Sequence, residues 1–267
     1  MSPRLLFLKL GGSLITFKDR PHTLRPQVIQ RLATEIAEAR AEDPDLQILL
    51  GHGSGSYGHV PARQYHTRRG VNTAEEWHGF VEVWRQAAEL NHMMLDVMAK
   101  AGLQALTFPP SASVTANQGE VTAWNLEPLQ SALRNGLIPV VYGDVVFDRA
   151  LGGTILSTED LFAYLVPQLH PSRLLLAGID PGVWQDFPAN NHLLPVITPA
   201  SLARIEVGLK GSTATDVTGG MEDKVRQVLS MINDLPGLKA SIFSGEVPDN
   251  VRCSLLGEEL GTMLHGS

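Results

Sequence analysis

Continuous apolar runs and amphipathic segments alternate along the chain. The runs lack the apolar–polar alternation of half-exposed strands, so they are typical of a parallel sheet buried on both faces. The segments between them follow the spacing of helices that pack one face on a core. The predicted strands cover residues 4–10, 46–50, 103–108, 137–142, 173–179 and 239–243, and the predicted helices cover residues 26–41, 73–101, 157–169 and 220–234.

This alternation over the whole chain predicts the α/β class, with a mostly parallel sheet sandwiched between helices. Residues 113–124 and 144–157 interrupt the alternation with glycine turns, which predicts two β-hairpins. Ligands of open α/β sheets bind beyond the carboxyl ends of the strands. We therefore expect the hairpins to form walls or a lid over a ligand bound there.

The charge balance narrows the range of candidate ligands. Among 267 residues, 21 are Lys or Arg and 28 are Asp or Glu, which gives a net charge of −7. A general nucleic-acid or membrane-surface binder usually carries a net positive charge.

The single cysteine, Cys253, excludes an intrachain disulfide and a cysteine-rich metal site, and it favours a cytoplasmic location. No apolar run reaches the roughly 18 residues that a membrane helix needs.

Three glycine-rich loops lie at strand ends or helix starts, and each carries a lysine or a histidine. They are KLGGS at 9–13, GHGSGSYGH at 51–59 and TDVTGGMEDK at 215–224. Glycine lets the backbone approach a phosphate closely, and helix N-termini favour anions. Each loop alone is equally compatible with an ordinary turn, and the second matches neither the P-loop nor the dinucleotide fingerprint. Together they indicate a bound polyphosphate, as phosphoryl transfer requires.

Four motifs in this order, KLGGS, GHGSGSYGH, GDVVFD and DVTGGMEDK, resemble those of the amino acid kinase superfamily, over nearly the whole chain. The histidine that ends the second loop is similar to that of the superfamily's isopentenyl phosphate kinases. The resemblance implies a three-layer αβα sandwich with β-hairpins over the acceptor site. It also implies a single domain over residues 1–267, with an acceptor-binding part at about 1–170 and a nucleotide-binding part at about 171–267.

The resemblance implies ATP-dependent phosphorylation of isopentenyl phosphate, carried out by a homodimer. It also implies Mg²⁺ held by phosphates and water, and no protein ligand is assigned to the metal. Catalytic roles fall to Lys9, Lys18, His59, Lys224 and Asp144, where Lys18 stabilises the transferring group and Asp144 orients a lysine. The implied acceptor contacts are Ser54, Gly55, His59 and Gly143. The implied ATP contacts are Lys9, Gly11, Gly12, Ser13, Gly55, Asp180, Trp184, Gly219, Gly220 and Lys224.

The chain departs from the family pattern in places. Tyr57 stands where Phe is more usual, Ser54 where Gly or Ala is, and Trp184 where Tyr is. The segment ILSTEDL replaces a more familiar I-x-S-G-D-D-L, which leaves the role of its first acid, Glu159, open. None of these changes affects the three lysines or His59.

An isoprenoid tail also needs an apolar pocket. We expect one face of the helix at 73–101 to close it, with Trp77, Phe80, Val81 and Trp84. Further candidates are Met93, Met94, Val146, Phe147 and Ile155, and for any single residue of these two sets a place in the core is the favoured alternative. Two other functions remain open. One is a kinase for a phosphonate or similar small anionic acceptor, and the other is a non-catalytic nucleotide- or oxyanion-storage protein. The presence of Lys9, Lys18 and Lys224 together argues against storage.

Overall fold

The computed structural model describes residues 4–202 and 220–266. The strands are β1 Arg4–Leu10, β2 Leu46–His52, β3 Ala105–Thr107, β4 Val114–Asn117, β5 Glu120–Trp124, β6 Ile138–Tyr142, β7 Asp144–Asp148, β8 Gly152–Leu156, β9 Arg173–Gly178, β10 Val183–Trp184, β11 Leu193–Leu194, β12 Val196–Ile197, β13 Lys239–Ser244 and β14 Thr262–His265. The helices are α1 Gly12–Ile15, α2 Pro26–Glu42, α3 Gly55–Gln64, α4 Ala74–Lys100, α5 Pro110–Ser113, α6 Glu127–Arg134, α7 Thr158–Leu169, α8 Met221–Asp234 and α9 Asn250–Leu256, with a 3₁₀ turn at Thr67–Arg69.

Eight strands form the central sheet, in the order β12-β14-β13-β9-β1-β2-β6-β3. Every neighbouring pair is parallel except β13 and β14, which confirms the predicted mostly parallel sheet. Lys9 at the end of β1 is opposite Gly51 in β2 and Leu176 in β9. The carboxyl ends of β1, β2, β6 and β9 therefore meet at one edge of the sheet.

The two faces of this sheet bury separate apolar clusters, because successive side chains of a strand point to opposite faces. Phe7 of β1 packs in one cluster with residues of α7 and α8, such as Phe162 and Val228. Its neighbours Leu6 and Leu8 pack in the other, with residues of α2, α4 and α9. Helices thus cover both faces, and this is the predicted three-layer sandwich. No helix in the two described ranges is long and apolar enough to cross a membrane.

Local signals fix the starts of the two helices nearest the hairpins. Thr73 and Glu76 form a capping box at the start of α4, and Ser157 and Asp160 form one at the start of α7. In each box the side chains satisfy backbone N–H groups that the helix leaves without partners. These helices begin within one residue of their predicted starts.

The predicted hairpins at 113–124 and 144–157 appear as β4–β5 and β7–β8. A parallel pairing of Thr115 in β4 with Phe147 in β7 joins them into a separate four-stranded sheet, in the order β5-β4-β7-β8. This joining has no counterpart in the sequence prediction. The end of β8 and the start of α7, which follows it directly, lie at the carboxyl edge of the central sheet.

Asp144 lies fully buried at the start of β7. Its carboxylate accepts the N–H of Ser111 at 3.2 Å and the N–H of Val145 at 2.9 Å. Burial raises the pKa of Asp144 to about 6, although these hydrogen bonds oppose the rise. These N–H donors connect α5 to β7 through the carboxylate, and the orientation of a lysine by Asp144 stays a prediction.

The raised pKa predicts a specific dependence of stability on pH. Protonated Asp144 favours the folded state, so its contribution is complete below the ordinary pKa of 3.8 and is lost as the pH rises through about 6. Urea unfolding of the wild type and of Asp144→Asn, measured from pH 4 to pH 7, tests this. The wild type should lose stability relative to the variant by on the order of 3 kcal/mol across that range.

Asp148→Asn is the matched control, because backbone N–H bonds from Gly119, Leu151, Ala150 and Gln118 outweigh burial and lower the pKa of Asp148. Its contribution is therefore present above the ordinary pKa and is lost only in more acidic solution. The difference between the wild type and Asp148→Asn should stay nearly flat from pH 4 to pH 7. A flat difference for Asp144→Asn as well would show that Asp144 is ionised in the folded protein at pH 4.

Candidate active site

A solvent-open cavity lies at the carboxyl edge of the central sheet, and its empty space, including the open mouth, is about 1020 Å³. The ends of β1, β2 and β9 form its floor, and the first turns of α3, α7 and α8 surround it. It brings together most of the predicted site residues: Lys9, Gly11, Gly12, Ser13, Lys18, Ser54, Gly55, His59, Gly143, Asp180 and Lys224.

The first two glycine loops contact each other through their backbones. A Cβ on Gly12 would lie 2.5 Å from the backbone nitrogen of Gly55, closer than such atoms approach. Gly55 also has φ of +51°, in the left-handed region, and a Cβ there would lie 2.2 Å from Oγ1 of Thr16. The Ser56 N–H donates to that same Thr16 hydroxyl at 2.9 Å. Glycine is therefore required at both positions for the loops to meet.

Helix N-termini supply the cavity with positive electrostatic potential. The first residues of α3, α7 and α8 all line it, through Gly55, Thr158 and Met221. The first N–H groups of a helix lack partners within the helix, and its dipole favours a negative charge at this end. The edge of the cavity can therefore hold phosphate oxygens in addition to its lysine charges.

Lys9 and Glu159 form a buried ion pair at the floor of the cavity, with 7% and 4% of their surfaces exposed. Burial alone would raise the pKa of Glu159, but the positive charges of Lys9 and Lys224 outweigh it and lower that pKa. Glu159 therefore stays ionised and holds Lys9 in place. The acid whose role the sequence left open is thus the counter-charge to the lysines. Its place in the first turn of α7, two residues after the helix-capping Ser157, was the available signal.

His52 is a second residue that sequence reasoning missed. It is fully buried, and its carbonyl oxygen accepts the N–H of Gly143 at 3.2 Å and the hydroxyl of Thr158 at 2.7 Å. Its ring stacks on Tyr142, and burial lowers the pKa of the imidazole. His52 thus ties the second glycine loop to the Gly143 turn and to the start of α7. Its position at the end of an unbroken apolar run was the signal.

Only some of the residues predicted to contact the nucleotide line the cavity. Asp180 lines the cavity, but Trp184 lies in the small β10–β11 ribbon opposite Leu193 and is not among the lining residues. Gly220 precedes α8, and its carbonyl accepts the N–H of Lys224 at 3.3 Å. Gly219 lies outside the described residues. The ATP contacts of Trp184, Gly219 and Gly220 stay predictions, as do the roles assigned to the residues that line the cavity.

A third apolar cluster lies between α4 and the hairpin β7–β8, and it reaches the cavity through Ile155. Phe80 belongs to it, Trp77 packs on it, and the rings of Phe80 and Phe147 lie 5.4 Å apart. The remaining members of the cluster are Ala62, Val71, Val83 and Val145.

The other predicted tail residues lie elsewhere. Val81 and Trp84 are 51% and 43% exposed, because they follow Phe80 and Val83 by one residue, about 100° around the helix. Met93 and Met94 belong to the cluster beneath α2, and Val146 faces the cluster of α7 and α8. The prediction that Val81 and Trp84 share the pocket-closing face of α4 is therefore wrong. The apolar residues near the cavity are those of the third cluster.

Comparison with known proteins identifies the family. The model of the amino acid kinase family matches residues 4–244. The isopentenyl phosphate kinase of Methanothermobacter thermautotrophicus is 33% identical over 98% of this chain and 99% of its own, and that of Haloferax volcanii is 32% identical over 98% and 99%. A crystal structure of an isopentenyl phosphate kinase superposes with a TM-score of 0.82 and 29% identity, over 98% of this chain and 100% of the other. The chain therefore belongs to the amino acid kinase family, in the group of the isopentenyl phosphate kinases.

Proposed function

We propose that this protein transfers the γ-phosphoryl group of ATP to isopentenyl phosphate, giving isopentenyl diphosphate and ADP. The observation that carries the proposal is that Lys9, Lys18, Lys224 and His59 line one cavity, which is continuous with an apolar cluster through Ile155. The lysines suit a polyphosphate, the histidine suits a second phosphate, and the cluster suits a short hydrocarbon. The full-length relatives named isopentenyl phosphate kinase support the same substrate.

The two substrates occupy different sides of the cavity in this proposal. The acceptor phosphate lies by Ser54, Gly55, His59 and Gly143, in the part of the domain formed by about residues 1–170. ATP lies towards Asp180 and Lys224, in the part formed by about residues 171–267. Gly12 lies against Gly55, so ATP phosphates held by Gly11, Gly12 and Ser13 meet the acceptor phosphate where the two loops touch.

In the proposed reaction, an oxygen of the acceptor phosphate attacks the γ-phosphorus in line with the bond to ADP. A phosphate monoester is largely dianionic near pH 7, since its second pKa is about 6, so no strong general base is required. His59 donates a hydrogen bond to the acceptor phosphate and holds its attacking oxygen in place. Lys9, Lys18 and Lys224 offset the charge that develops on the transferring group and on the leaving oxygen.

In this proposal Mg²⁺ enters the site with the nucleotide. Within residues 4–202 and 220–266, no group of three or more His, Cys, Asp or Glu side chains is arranged to hold a metal ion. The two carboxylates that line the cavity are Asp180 and Glu159, and Glu159 is engaged with Lys9. Mg²⁺ often keeps several waters and binds mainly through substrate phosphates, where it neutralises their charge.

The homodimer and the cytoplasmic location stay predictions.

A phosphonate acceptor would use the same lysines and His59, but it would leave the apolar cluster unused. Measuring ADP release with isopentenyl phosphate, dimethylallyl phosphate, methyl phosphate, fosfomycin and N-acetylglutamate separates these possibilities. A buried five-carbon tail contributes up to about 3–4 kcal/mol at roughly 0.8 kcal/mol per CH₂. Isopentenyl phosphate should therefore exceed methyl phosphate in kcat/KM by at least two orders of magnitude. Equal values for these two, or a higher value for fosfomycin, would refute the isoprenoid assignment.

The third apolar cluster should also set the tail length. Phe80→Ala removes a ring beside Ile155, so we expect the ratio of ten-carbon to five-carbon kcat/KM to rise at least tenfold as five-carbon activity falls. Trp84→Ala removes a larger ring from the exposed side of the same helix and should leave that ratio unchanged. The assay is ADP release with geranyl phosphate and isopentenyl phosphate, with circular dichroism to check folding. An equal effect of both variants would place the tail away from this cluster.

A further inference from the structure

Lys18 lies on a protruding surface loop, the segment Phe17–Thr23. Its ends are joined by an isolated β-bridge between Thr16 and Leu24 and by the Phe17 N–H, which donates to the Thr23 carbonyl at 3.0 Å. Arg20 and Arg25 lie over the Phe17 ring at 5.1 and 5.6 Å. These contacts lie within the segment or at its base. They close the segment but do not determine where Lys18 lies over the cavity.

Contacts to α3 supply that position. The N–H groups of His22 and Thr23 approach the carbonyl and hydroxyl oxygens of Ser56 at 3.5 and 3.4 Å. The hydroxyl of Tyr57 donates to the His22 carbonyl at 3.1 Å, and the two rings pack edge to face at 5.2 Å. The first two distances exceed the usual range of N–H···O bonds, and the third lies just beyond the range of O–H···O bonds. The Tyr57 hydroxyl therefore makes the shortest of these polar links.

Tyr57 is suited to act as a fixed anchor. Only 3% of its surface is exposed, and its ring packs in the core cluster that also contains Leu90 and Met94 of α4. Burial, and then the charge of Glu89, raise the pKa of Tyr57, so its hydroxyl keeps its proton and remains a donor at neutral pH. It lies on α3 two residues before His59. One rigid side chain therefore connects the helix that carries His59 to the segment that carries Lys18.

A buried tyrosine needs a hydrogen-bond partner in any fold, so satisfaction of the hydroxyl alone is no evidence of a role. The informative feature is which carbonyl it binds. His22 lies four residues after Lys18, and the other polar contacts of the segment with α3 are longer, so the loss of this bond would loosen the segment without disturbing the core. A phenylalanine would fill the same space, and it would lack this link and the 4.0 Å contact of the hydroxyl with Sδ of Met93.

We propose that Tyr57 is a positioning residue for the phosphoryl transfer described above, on which this inference rests. Its hydroxyl holds the segment Phe17–Thr23 against α3, and so keeps Lys18 at the distance from His59 at which it meets the transferring group. Tyr57 contacts no substrate in this proposal. It acts through Lys18.

A double-mutant cycle on kcat tests this dependence. Tyr57→Phe should lower kcat about fivefold, the loss expected from one hydrogen bond, while the KM for ATP stays within twofold. In a Lys18→Met background, Tyr57→Phe should lower kcat no further, because the group that it positions is gone. Full additivity of the two losses would overturn the proposal. Tyr164→Phe, which removes a hydroxyl from a ring stacked on Trp124, is the matched control and should leave kcat unchanged.

Trypsin provides a second measurement that does not depend on catalysis. Within Phe17–Thr23 it can cut after Lys18, whereas Arg20 is followed by Pro21 and resists cleavage. Cleavage of a native protein follows local opening, so Tyr57→Phe should be cut after Lys18 about fivefold faster than the wild type. Equal rates would overturn the proposed docking. If isopentenyl phosphate proves not to be the acceptor, only the proposed function fails, and the cycle is run with whichever acceptor in the panel releases ADP.

Discussion

The contact between Gly12 and Gly55 is the constraint on which the rest of the site depends. Two loops that leave adjacent parallel strands touch through bare backbone, and a single Cβ at either position would force them apart. Lys9, Lys18, Ser54 and His59 all line the cavity where these loops meet. In the proposed function, a nucleotide phosphate on one loop and an acceptor phosphate on the other would then lie close enough for direct transfer of one phosphoryl group.

Such proximity would be unfavourable without local positive charge, because both substrates are anions and the chain itself carries a net charge of −7. The fold concentrates three lysines and three long helix N-termini around one cavity. The ionised Glu159 holds Lys9 at the floor and offsets part of that charge while the site is empty of phosphate. A cavity of this kind strengthens interactions with phosphate oxygens relative to those on the open surface, where water screens them.

Local patterns in the sequence predicted most of the fold. Five of the six apolar runs are buried strands in the structure, whereas the run at 103–108 is β3 at the sheet edge, with Leu106 48% exposed. The helices predicted from residues 73 and 157 begin within one residue of those positions. Contacts between residues distant in the chain could not be predicted from local patterns. The pairing of Lys9 with Glu159 depends on where α7 lies after β8, and the partners of Asp144 depend on how α5 packs. The error over Val81 and Trp84 arose because apolar residues occupy more than one side of α4, and only packing shows which side is covered.

The central claim is that one cavity holds both phosphates at once and passes the phosphoryl group directly between them. The stereochemical course of the reaction tests this most directly, using ATP whose γ-phosphorus is made chiral with three oxygen isotopes. A single in-line displacement, with His59 as a hydrogen-bond donor, predicts inversion of configuration at phosphorus in the isopentenyl diphosphate formed. Retention would require two displacements through a phosphorylated side chain, such as His59, and would contradict the account.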